Sequence, residues 1–166
     1  MTSGLMKLVF AIPSTGHATY FYLDGSDATS TLRTSAAQRR KQLSSHLTRV
    51  ADGDLILVGE AAGWQGARQS GVAFTSPRHV GMQGTAEPSA TAVHDLLANT
   101  GMTPRTLLWN AFPIHPHKLN EPRTNRTPTS AELRVGDDAL CLAMKKRKVL
   151  CVGQHAKKSL ERILGT

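Results

Sequence analysis

The chain has 166 residues, 40% of them apolar, and a formal net charge of +8 from twenty Lys and Arg against twelve Asp and Glu. That length suits one domain with a sizeable core. No apolar run nears the roughly 20 residues that a membrane-crossing helix needs, so the composition is that of a soluble globular protein and excludes a membrane-spanning one.

In chain order, Leu5–Ile12 reads as a strand. The apolar stretch after Lys7 is too short for a signal peptide and runs straight into Pro13 and polar residues. An irregular polar stretch follows to residue 34. Ser35 is an N-cap for a helix over 36–51, with Leu43, Leu47 and Val50 on one face. Asp52-Gly53-Asp54 ends it and leads into a buried strand, Leu55–Val58. Residues 59–89 form a long connection rich in glycine and proline, and a loop of that length is uncommon unless it is functional or disordered. A helix over 90–100 stops at Gly101, and Thr106–Ala111 is a second buried strand. A polar connection, 112–129, precedes a helix over 130–144. Lys148–Gly153 gives a third buried strand, and a last helix over 154–164 is closed by Gly165. Alternating strands and helices with continuous apolar strands predict an α/β fold, a three-layer α/β/α sandwich around a mostly parallel sheet of about four strands. Neither repeats nor a linker divide it.

The charge is uneven. Residues 1–104 hold eight basic and seven acidic side chains, whereas residues 105–166 hold twelve and five. A basic half favours a polyanionic partner through counterion release; it is equally the mark of a solvated surface. Cys141 and Cys151 lack C-x-x-C spacing, which points to a reducing, cytoplasmic compartment, and their apolar neighbours place them in the core. His115-x-His117 lacks a third ligand, so no metal is expected, and no cofactor either. His17, His46, His79 and His94 are assigned to the surface. The glycines form neither a P-loop nor a well-placed G-x-G-x-x-G, and Ser70, Thr75 and Ser76 form no nucleophile elbow. An NTPase, a dinucleotide enzyme and a serine hydrolase are therefore unsupported.

The three buried strands named above end in Gly59-Glu60, Asn110 and Gly153-Gln154. In an open parallel sheet such ends share one edge, where ligands bind. Asn110 carries a donor and an acceptor and either reads a nucleobase edge or closes a strand. Phe74 either stacks on a base or packs in the core, and Trp64 is either a lid over the site or packing for the long loop.

Taken in order, these segments resemble the uracil-DNA glycosylase superfamily. Gly59-Glu60-Ala61-Ala62-Gly63 is similar to its first motif, G-E-x-P-G, and Gly71–Phe74 to the segment that follows. Trp109–Pro113 is similar to the strand end whose Asn recognises uracil. Asn125-Arg126-x-Pro128 and Val152-Gly153-x-x-Ala156 are similar to accompanying features. The resemblance covers residues 36–166. It implies a DNA base-excision repair glycosylase that flips out uracil or a related deaminated base and cleaves its N-glycosidic bond. Glu60 would be catalytic, and Gly59, Ala61, Phe74 and Asn110 would hold the base. His115, His117, Arg123, Arg126 and the Lys145–Lys148 cluster would contact DNA. The protein would work as a monomer, away from membranes. Departures are Ala61 where some branches carry Asp or Gln, Ala62 for Pro, and Gly63 where others place Tyr. The second, H-P-S-like motif is not present, so residues 1–166 are expected to be a single domain, C-terminally short. The alternative this leaves is a catalytically deficient relative that binds nucleic acid or a free base without cleavage.

Overall fold

A computed structural model describes residues 2–13, 15, 17–23 and 33–165. At its centre is a parallel sheet in the order β3-β2-β5, made of β2 (Leu55–Ala61), β3 (Thr106–Phe112) and β5 (Lys148–Cys151). The register sets Gly59 beside Asn110 and Val58 beside Cys151, so all three strands deliver their carboxyl ends to one edge. Two short strands, β1 (Ala18–Thr19) and β4 (His115–Pro116), form a separate antiparallel pair. The expected sheet of about four strands is therefore three among the described residues, with this pair beside it.

Alternation along β2 and β3 divides the core. Ile56, Val58, Leu107, Trp109 and Ala111 join the main cluster with residues of α1 (Thr2–Phe10), α2 (Ala36–Arg49), α6 (Asp137–Met144) and α7 (Gln154–Leu164). Leu57 and Leu108 face the other way, toward Val93 and Leu97 of α4 (Pro88–Asn99) and the Val72–Phe74 loop. Gly59 and Asn110 lie two residues beyond that second pair, so the pleat aims them toward the same loop.

Several local signals act as expected. Ser35 caps α2 in a reciprocal box with Gln38, its hydroxyl accepting from the Gln38 N–H at 3.2 Å while Gln38 accepts the Ser35 N–H at 2.8 Å. Gly165, at φ 71°, closes α7 in the left-handed region that glycine tolerates.

Four expectations are corrected. Leu5–Ile12 lies in and just after a helix, α1, rather than a strand: Leu5, Val9 and Ile12 are buried at helical spacing, a periodicity that a short apolar run conceals. The helix expected over 130–144 is two, α5 (Ser130–Val135) and α6, broken at Gly136. The Ala111 carbonyl sits against Gly136 where any Cβ would collide with it. The third strand is an edge, not a buried strand, and Leu150 is 51% exposed. Cys141 and Cys151 are likewise exposed, not core. Much of the polar stretch before residue 34 lies outside the described residues.

Candidate functional site

At the carboxyl edge of the sheet lies a cavity of about 230 Å³ whose lining includes Gly59, Glu60, Phe74, Glu87, Asn110 and Val152. β2 and β3 reach this wall with their own residues and β5 through Val152, the residue that follows it, so the strand ends converge here. Ala61, Gly63 and Asn125 complete much of it.

Gly59 is glycine for a spatial reason. A Cβ there would lie 2.6 Å from the Phe74 ring and 2.8 Å from the Asn110 carboxamide. Both groups close over the bare Cα, a close approach that only glycine permits. Gly59→Ala is expected to force the ring or the carboxamide aside and cost about 1–3 kcal/mol of stability. Urea denaturation read by circular dichroism would register this as a lower midpoint at unchanged slope.

Asn110 is buried. Oriented to satisfy its neighbours, its carboxamide nitrogen donates to the Trp109 carbonyl at 3.2 Å and its oxygen accepts the Ala62 N–H at 3.3 Å. An amide group has two N–H bonds and two oxygen lone pairs. One of each is engaged by the protein, which leaves an acceptor and a donor side by side.

Phe74 sits at φ 50°, in the left-handed region that a bulky residue rarely occupies. The loop around it is tied down: the Ser70 hydroxyl donates to Thr75 O at 2.6 Å, and Thr75 Oγ1 lies 3.1 Å from His94 Nε2. The His94 ring in turn stacks on His79 with centroids 4.3 Å apart. The strained Phe74 is thus held by its surroundings.

Sequence reasoning missed Glu87. Its carboxylate fills the space left by Gly63 and Gly66, where a Cβ on Gly63 would fall 2.5 Å from Glu87 Oε1. Burial raises its pKa, while the Gln65 and Gly66 N–H groups pull it back. Gly63 and Gly66 were visible in sequence, but not what they make room for.

The histidines depart from expectation. His115 is fully buried, with Nδ1 donating to Ala62 O at 2.7 Å and Nε2 3.2 Å from Pro122 O. It clamps the first motif from behind instead of meeting phosphate. His117 is also buried, its Nδ1 donating to Lys118 O at 2.7 Å and its Nε2 accepting from Thr19 Oγ1 at 3.0 Å. His46, assigned to the surface, is buried as well, and its Nε2 accepts the Leu108 N–H at 3.0 Å.

Arg126, expected on DNA, forms a two-pronged pair with Glu132 (2.8 and 2.6 Å) and donates to the carbonyls of His117, His17 and Thr127. Its guanidinium is consumed by the fold. In the Lys145–Lys148 cluster Arg147 is buried and donates to Val50, Ala51 and Ala143 carbonyls. Lys148 opens β5, so the cluster lies at the amino edge of the sheet, opposite the cavity. Arg123 is exposed and lines a neighbouring hollow with Trp64.

No protein-family model matches the sequence, and no curated protein matches it. In structure the chain is similar to wild-type SMUG2 of Pedobacter heparinus, with a TM-score of 0.67 at 12% identity, covering 99% of this chain and 80% of that one. The fold, a parallel sheet flanked by helices, is uracil-DNA glycosylase-like. The resemblance carried by the ordered motifs is thus met in three dimensions, at the level of the fold. In this chain Ala62 is held through its N–H by Asn110 and through its carbonyl by His115, while Glu87 lodges against Gly63 and Gly66. Among the described residues no helix is long and apolar enough to cross a membrane.

Proposed function

We propose that the protein is a DNA glycosylase that takes an extruded uracil, or a related deaminated base, into the cavity at the carboxyl edge of the sheet and cleaves its N-glycosidic bond. The observation that carries this is the pinned Asn110 carboxamide. Its free oxygen lone pair suits uracil N3–H and its free N–H suits O4. Cytosine offers the reverse pattern at those atoms, so one fixed amide discriminates by about 1–3 kcal/mol. Phe74 supplies a stacking face, worth roughly 1–3 kcal/mol for a base. Glu60 faces the same cavity. As the bond breaks, the sugar gains oxocarbenium character, and a carboxylate there stabilises that charge or orients the attacking water. Gly59 and Ala61 contribute bare backbone to the wall.

The second reading, a relative that binds a base without cleaving it, is favoured by one feature. The described residues lining the cavity include no Lys, Arg or His. Negative charge on the departing base therefore meets only neutral donors, and a missing electrostatic donor of this kind costs about 10²–10³ in rate.

Incubation with a uracil-containing oligonucleotide, followed by alkali, separates the two. Strand scission at the uracil, absent with a thymine control, supports excision. Retention of the oligonucleotide without scission at high protein excess supports the second reading, and neither retention nor scission removes both.

A further inference from the structure

A second hollow, of about 120 Å³, shares a loop with the base cavity. Gly63 lines the cavity, and the next residues, Trp64 and Gln65, line the hollow together with Arg33, Arg123 and Gln83. The Trp64 N–H donates to Asn125 Oδ1 at 3.1 Å, and Asn125 lines the base cavity. The backbone beneath the indole is therefore anchored to a side chain of the first site. On the opposite wall the Arg33 N–H donates to Gln69 Oε1 at 2.9 Å, which fixes that stretch on α3 (Ala67–Ser70).

The two sites differ in charge. The base cavity is lined by Glu60 and Glu87 with no cation, and the hollow by Arg33 and Arg123 with no carboxylate. Among the described residues, the guanidiniums of Arg105, Arg126 and Arg162 are paired with carboxylates. Those of Arg39 and Arg147 are bonded to carbonyls. Arg33 and Arg123 are exposed, and among the described residues no such bond engages either guanidinium. Two free guanidinium forks beside a half-buried indole and two carboxamides match a nucleotide, with phosphate for the forks and a base face for the ring.

We propose that this hollow is a nucleotide-phosphate subsite, holding the nucleotide next to the one whose base enters the cavity, with its phosphate on Arg33 and Arg123 and its base on Trp64. The position next to an extruded base rests on the reading of the cavity given above; the affinity for a nucleotide phosphate does not.

Trp64 supplies the probe. The chain has two tryptophans, and Trp109 is 3% exposed within the core, so quenching by a nucleotide reports on Trp64. Thymidine 5′-monophosphate is expected to quench it at least tenfold more tightly than thymidine. Arg33→Gln with Arg123→Gln should weaken that binding tenfold or more and lower the salt dependence of binding to a fluorescein-labelled uracil-containing oligonucleotide by about two in slope. Trp64→Phe should retain most of the oligonucleotide affinity, and Trp64→Ala should lose about tenfold. Equal quenching by nucleoside and nucleotide, or an unchanged affinity and salt slope in the double variant, overturns the subsite. Asn110→Asp should leave quenching by the monophosphate unchanged. If uracil excision and uracil binding both fail while phosphate-dependent quenching persists, the cavity reading falls and the subsite stands.

Discussion

Asn110→Asp is expected to lower uracil excision by about 100-fold or more; if the protein binds without cleaving, affinity for a uracil-containing oligonucleotide should fall by a similar factor. The carboxamide nitrogen donates to the Trp109 carbonyl, and its oxygen accepts the Ala62 N–H. A carboxylate keeps the second bond and loses the first, and it has no N–H to offer uracil O4. Losing a buried hydrogen bond and leaving its partner unsatisfied costs about 1–3 kcal/mol, and a factor of ten is about 1.4 kcal/mol. The new charge also stands in a cavity that Glu60 and Glu87 already line, which adds like-charge repulsion. A thermal melt separates a recognition defect from unfolding. A variant that melts like the parent yet excises or binds at the parental level would remove Asn110 from base recognition.

How much of this was legible in the sequence depended on how local the cause was. The Ser35 cap and the stop at Gly165 are set within a few residues, and both read correctly. The apolar runs of β2 and β3 are long and uninterrupted enough to announce buried parallel strands, and their ends met at one edge as parallel topology requires. Leu5–Ile12 failed because a short apolar run supports either period, and only packing on α2 and α6 selects the helix. Lys148–Cys151 failed because hydrophobic content does not say how far other elements cover a strand: β3 is also an edge of the sheet and is buried throughout, whereas β5 is left largely open. Arg126 and His115 failed for a shared reason. A basic or ionisable residue beside a candidate motif reads as a ligand contact, yet Glu132 and the carbonyls of Ala62 and His17 consume these groups within the fold. Glu87 was out of reach altogether, because its place depends on what Gly63 and Gly66 lack.

The buried histidines lead to a second large effect, a loss of stability on mild acidification. His46 is held neutral, its pKa driven down to about 3 by burial and then by the nearby positive Arg49 and by His94. His115 is lowered to about 4, burial outweighing the carbonyl contacts of Ala62 and Pro122 that favour its proton. In the unfolded chain both titrate near the ordinary value of about 6.5. Between those limits the unfolded state binds the extra protons, so stability is full above about pH 6.5 and declines as pH falls. Each histidine contributes a slope of a little over 1 kcal/mol per pH unit, continuing to about pH 4 for His115 and about pH 3 for His46. Glu132, whose carboxyl is lowered chiefly by Arg126, adds to the loss only below the ordinary carboxylate range. Glu87, raised by burial, acts in the opposite sense, favouring the fold as it gains its proton. Urea unfolding at pH 7.5 and at pH 5 should therefore differ by a few kcal/mol, roughly 4 if both histidines express their full slopes. Gln in place of His46 keeps an acceptor for the Leu108 N–H and does not titrate, so His46→Gln should remove about half of the pH dependence. A variant whose stability falls as steeply as the parent's would show that His46 is not one of the groups that acid must protonate.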